Sequence, residues 1–166
     1  IEVIGDRRES LMHNKFMVVD GRAVCTGSLN YTVSGTYSDH NNLLCALSDP
    51  MAQDFTVEFE EMFVDDKFGP DVVAETPKPR VTIDGTPIDV YFSPDDGVQA
   101  SFVDLVDNAQ QSIYFMAFSF TADEIGDAVR NRARDGVVVA GVMETEQVNS
   151  TVGTEYDPVT QAGLDV

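Results

Sequence analysis

Apolar and polar positions along the chain alternate in short runs at first and in longer ones later. Segments 11–20 (LMHNKFMVVD) and 22–29 (RAVCTGSL) read as strands, and Asp20-Gly21 between them is a strong hairpin signal. Residues 1–3 (IEV) read as a short strand, 31–39 as a loop or short helix, and 41–48 (NNLLCALS) as a buried strand. Over 50–63, Ala52, Phe55, Phe59, Met62 and Phe63 recur at helical spacing, and Pro50 suits the first position of that helix. Prolines 70, 77, 79 and 87 mark an extended connection. Beyond it lie a strand at 88–93, an amphipathic helix at 96–110, and a strand at 112–120 that is hydrophobic on both faces. A helix at 121–136 follows, with Thr121 as N-cap, Glu124 three residues on and Gly136 at the stop. A buried strand covers 137–144, and a loop and helix lead to Gly163 and a final LDV. Buried strands alternating with helices predict an α/β fold, its sheet largely parallel and flanked by helices.

Composition narrows the classes of partner. The 166 residues suit one domain with a sizeable core. Net charge is −19, from 29 acidic and 10 basic residues, and no basic patch of the kind that binds bare DNA stands out. Such acidity fits a highly soluble surface or adaptation to high salt. Arg7, Arg8 and Arg22 could form a local basic rim, although solvated surface is the plainer reading. No apolar run approaches a membrane span, and no signal-peptide pattern opens the chain. Cys25 and Cys45 lack metal-ligand spacing; they read as free buried thiols, with a cross-strand disulfide as the alternative.

Chemistry concentrates in residues 13–30. With a two-residue turn at Asp20-Gly21, Val19 pairs with Arg22, Lys15 with Thr26 and His13 with Ser28. His13, Lys15, Ser28 and Asn30 then share one face. Those groups suit a phosphate: a lysine charge, a hydroxyl, an amide donor, and an imidazole able to attack phosphorus or carry a proton.

His13, Lys15, Asp20, Gly27, Ser28 and Asn30 fill every fixed position of H-x-K-x4-D-x6-G-S-x-N, and in this the sequence resembles the phospholipase D superfamily. Residues 41–63 look like that family's continuation after the motif, and 112–129 look like the first half of a repeat of the same domain. The resemblance implies a mixed, largely parallel sheet with its halves in permuted order. Residues 1–69 would be the second half of one repeat, 70–87 a Pro-bearing linker, and 88–166 the first half of the next; LDV at the end would correspond to IEV at the start. It also implies an active site built from two motifs, in which one histidine becomes a phosphohistidine and the other protonates the leaving group, with no metal or cofactor required. Carried over, His13 is nucleophile or acid, Lys15, Ser28 and Asn30 hold the phosphate, and Asp20 organises the hairpin.

Two features depart from the pattern. Asn41 stands where family members often place a glutamate that orients the histidine. Only one motif is present, since His40 has no lysine two residues on. The second H-x-K would come from the next repeat or another subunit, through a homodimer or a domain swap. The expected substrate is a phosphodiester, with phospholipid favoured over nucleic acid on the charge. The alternative is a non-catalytic, phosphate-binding repeat.

Overall fold

A computed structural model describes residues 1–8 and 11–166. The chain forms two compact units, Ile1–Val98 and Gln99–Val166, in an α/β arrangement of small sheets.

The first unit is built on a three-stranded antiparallel sheet, β1 (Phe16–Val19), β2 (Ala23–Gly27) and β3 (Leu43–Leu47), in the order β1-β2-β3. Between β2 and β3 lies the short helix α1 (Val33–Tyr37). Helix α2 (Asp49–Phe63) follows, with Ser48 as N-cap accepting from the Met51 N–H and Pro50 in the first turn, where no intrahelical donor is required. Alternation sends Phe16, Val18, Val24 and Ala46 to the face that meets Met51, Ala52 and Phe55 of α2. Phe55 sits edge-on to both Phe16 and Phe92, with centroids 5.1 and 5.0 Å away. The opposite sheet face carries Met17, Leu43 and Leu47, which are 53, 49 and 76% exposed.

Three expectations change here. The sheet is not largely parallel: among the described residues the only parallel strand pair is in the second unit, where α4 supplies the helical crossover that such a pair needs. Residues 1–3 form no strand. The connection after α2 is not simply extended. After a 3-10 turn at Gly69–Asp71 it forms the hairpin β4 (Arg80–Ile83) and β5 (Thr86–Asp89) around Asp84-Gly85. Val81 and Val90 of this region are buried with Phe55 and Phe92, so the proline-bearing segment belongs to the core.

Cys25 and Cys45 are joined as a disulfide, not free thiols. They face each other directly across β2 and β3, a pairing that only the β2–β3 register reveals.

The second unit carries α3 (Val98–Asp107), β6 (Ser112–Ala117), α4 (Asp123–Arg134), β7 (Val138–Met143), α5 (Thr145–Ser150) and α6 (Tyr156–Gln161). β6 and β7 are parallel, joined through α4, and Ala140 makes a further parallel bridge to Asp165. Val106, Ala128 and Val129 form the core, with Ile113, Phe115 and Val139 against them. β6 is buried on one face only, since Tyr114 and Met116 are 74 and 86% exposed. Its apolar character on both sides therefore does not mean double burial in this chain. α4 begins one residue later than predicted, with Ala122 as N-cap and no side-chain cap bond. Glu155, buried beside Gly126, receives Arg130, which also pairs with Asp127 at 2.7 Å.

Candidate active site

The hairpin turn holds three residues rather than two. Val19 pairs with Ala23, Asp20 and Gly21 take left-handed φ values of 57° and 62°, and the Arg22 N–H donates to the Val19 carbonyl at 3.1 Å. This slips the register by one from the expected pairing. Extended outward, it sets Lys15 opposite Gly27 and His13 opposite Leu29, so hairpin alternation alone does not gather the four polar residues on one face. The ladder itself ends at Phe16↔Thr26, leaving His13 and Lys15 before it and Ser28 and Asn30 after it.

His13 and Lys15 enter β1 along exposed and half-buried backbone. The Lys15 ammonium donates to the His13 carbonyl at 2.9 Å, which folds the lysine back over its own segment. The Lys15 carbonyl accepts the Thr26 hydroxyl at 3.3 Å. Between the two residues, Asn14 has the parity of Phe16 and Val18 and so points toward α2. Its side-chain amide donates to Glu58 Oε1 at 2.9 Å.

The Gly-Ser-x-Asn half is held by a different network. A Cβ on Gly27 would lie 2.3 Å from the Asn42 carbonyl oxygen, so only glycine allows β2 to pass that close to the start of β3. Ser28 then meets this strand end twice over. Its N–H donates to the Asn42 carbonyl at 3.2 Å, and its hydroxyl accepts from the Asn42 N–H at 3.0 Å while donating to Asn41 Oδ1 at 2.8 Å. The Asn41 amide donates onward to the Gly35 carbonyl at 3.0 Å. Gly35 is buried against the Asn30 carbonyl, where a Cβ would sit 2.4 Å away, and that carbonyl accepts from the Thr32 N–H at 2.8 Å. Thr32 caps α1 through Gly35.

Each predicted site residue thus has a place. Ser28 and Asn41 are brought together. His13 and Lys15 are adjacent on one segment. Asn30 packs by its backbone against Gly35. Asn41 engages Ser28 rather than the imidazole. Among the described residues, no hydrogen bond engages the His13 ring or the Asn30 side-chain amide, and both residues are exposed. Asp20 sits in the turn, at the far end of the ladder from His13. The three arginines of the proposed basic rim are each matched by a carboxylate: Arg7 with Asp66 at 3.0 Å, Arg8 with Asp6 at 2.8 Å and Arg22 with Asp49 at 3.5 Å.

The feature that sequence reading missed is acidic and buried. Glu58 continues the Met51–Phe55 stripe of α2 by one turn and is 9% exposed. Burial, reinforced by nearby Asp95, pushes its carboxyl up to about 7, against the smaller opposing effect of the Asn14 hydrogen bond. Asp54, 1% exposed, is also raised by burial, and the Lys78 backbone N–H donates to its Oδ1 at 2.7 Å. The signal was available in the sequence: acids at 54 and 58 flank Phe55 at helical spacing.

Comparison with known proteins bears on the first unit. Residues 1–63 match the family described as "Cardiolipin synthase, PLD-like domain". A protein named "Mitochondrial cardiolipin hydrolase" from Xenopus tropicalis is 38% identical over 63 residues, covering 38% of this chain and 30% of the relative. Its namesake from Homo sapiens is 36% identical over 70 residues, covering 42% of this chain and 27% of the relative. The matched stretch therefore spans less than a third of these relatives' length.

Proposed function

We propose, from the match of residues 1–63 to a PLD-like domain, that the chain supplies one half-site for phosphodiester hydrolysis or phosphatidyl transfer through a phosphohistidine. In this reading the His13 imidazole attacks phosphorus, a P–N bond forms, and the P–O bond to the leaving alcohol breaks. The histidine of a second H-x-K motif, from a following repeat or another subunit, gives the departing oxygen its proton. It then takes a proton from water or an acceptor alcohol, whose oxygen displaces His13 from phosphorus. Lys15, Ser28 and Asn30 bind the phosphoryl oxygens, and the charge and amide donors favour the more negative transition state.

The observation that carries this reading is the full set His13, Lys15, Asp20, Gly27, Ser28 and Asn30, together with a backbone that leaves the imidazole and the Asn30 amide open to solvent. The expected substrate is a phospholipid; the carboxylate partners of Arg7, Arg8 and Arg22 weaken the case for a nucleic-acid rim. We further propose that the two units belong to successive repeats of a phospholipase D-like fold.

In the intact parent protein, His13→Ala should abolish turnover of bis(p-nitrophenyl) phosphate. The wild type, quenched during turnover, should show an acid-labile phosphohistidine by 31P NMR. Unchanged turnover in the variant would overturn the reading.

A phosphate-binding, non-catalytic role is the second reading. It is favoured by Asn41, which holds Ser28 where a carboxylate on the imidazole would be expected. It predicts phosphate binding without turnover even when a second motif is supplied.

A further inference from the structure

The His-x-Lys segment has an unusual anchorage. The β1–β2 ladder stops at Phe16, three residues after His13. Upstream of it, among the described residues, two side-chain bonds tie this segment to the body of the first unit: the Thr26 hydroxyl of β2 donates to the Lys15 carbonyl at 3.3 Å, and the Asn14 amide donates to Glu58 on α2 at 2.9 Å. Alternation explains why the middle residue is the tether: with Asn14 turned toward the helix, His13 and Lys15 are turned away from it. Glu58 is held in turn. It lies on the buried stripe of α2 one turn after Phe55, whose ring is wedged between Phe16 and Phe92.

We propose that Glu58 is a positioning residue, fixing the His13–Lys15 segment through Asn14. The proposal deepens the phosphodiesterase reading and rests on it for its kinetic consequence, but the tether itself is testable without turnover.

The tether is also sensitive to protons. Acids lie around Glu58 on three sides, Asp54 and Glu61 on its own helix, Glu75 on the segment that follows, and Asp95 and Asp96 before α3, while the His13–Lys15 segment brings the neutral Asn14 amide. Charge on Glu58 strengthens its acceptance of the Asn14 amide, whereas protonation weakens it. With its carboxyl near 7, the segment is held more firmly above neutrality than below.

Three variants of the full chain separate the possibilities by 1H–15N NMR: Asn14→Ala, Glu58→Ala and Glu58→Gln. In the wild type, the Asn14 side-chain amide signal should move with pH through about 7, and in Glu58→Gln it should be flat. In Asn14→Ala and Glu58→Ala, the His13 and Lys15 backbone amides should shift and exchange faster with solvent. Glu58→Gln should keep them near wild type, since its carbonyl still accepts the bond. Asn14 is exposed, so Asn14→Ala carries the test if Glu58→Ala does not fold. Unaltered His13 and Lys15 amides in Asn14→Ala would overturn the proposal.

In the turning-over parent protein, Asn14→Ala should lower kcat about tenfold to hundredfold with little change in KM, as a small misplacement of reacting groups does. The conservative Glu58→Gln should retain most of the wild-type rate and lose the inflection near 7. If the amide signals respond as expected while the wild type itself fails to turn over, the phosphodiesterase reading falls and the tether stands.

Discussion

At the scale of single residues, the first unit spends buried positions on carboxyls. Glu58 and Asp54 both lie on the core side of α2, and burial raises both. A carboxyl raised in the fold binds its proton more tightly there than in the unfolded chain, so the folded state holds more protons between the two values. Stability therefore falls as pH rises from the ordinary carboxyl value of 4.5 to about 7. Denaturant midpoints measured across this window should decline in the wild type and decline less in Glu58→Gln. An equal slope in the two proteins would contradict the assignment. The residues of the motif were legible by identity, because their spacing is specific. Their supports were not: Asn14 and Glu58 are 44 positions apart and meet only once β1 is laid on α2. Asn41 stands out in the sequence as the residue at the glutamate's position, but no pattern there says that its side chain meets Ser28 and not the imidazole.

At the scale of elements, what could be read depended on whether the signal was local. The helices at 49–63 and 123–134 and the β6–α4–β7 unit follow from apolar spacing, with a side-chain cap only on the first of these helices. The turn at Asp20 was placed correctly but given one residue too few. Asp20, Gly21 and Arg22 suit either length, and only the packing of Phe16 and Val18 on α2 selects the register. Asp84-Gly85 carries the same turn signal, yet the surrounding prolines outweighed it. Pro87 is tolerated in a two-stranded sheet, where β5 has a free edge. Strand β6 supplies a direct comparison of its two faces. Phe115→Ala should cost about 3–5 kcal/mol, as large core truncations do. Tyr114→Thr and Met116→Thr, on the open face, should each stay within about 0.5 kcal/mol of wild type. Urea titrations of the three variants distinguish a one-sided strand from a doubly buried one.

At the scale of the molecule, each unit covers one face of its sheet and leaves the other apolar and open: Met17 and Leu47 in the first, Tyr114 and Met116 in the second. The hydrophobic pattern read as double burial is therefore real in the sequence while half of it goes unused in this chain. Long-range order in the first unit rests on the α2 core and on the covalent link between β2 and β3. Reducing that link should destabilise the first unit by about 3 kcal/mol, the value for a loop of this size. Denaturation with and without dithiothreitol measures it, and equal midpoints would show that the strands hold without it.

The same bond has a topological meaning. Residues 25–45 form a closed covalent ring. Gly27, Ser28, Asn30 and Asn41 all lie within it, whereas His13 and Lys15 lie outside it. One cut in the turn at 20–22 would leave the ring intact and break the covalent path from it to β1, which would then be joined to β2 and α2 by the ladder, packing and the bonds of Lys15 and Asn14. The disulfide thus divides the motif covalently: its Gly-Ser-x-Asn part is closed in a ring that its His-x-Lys part does not share.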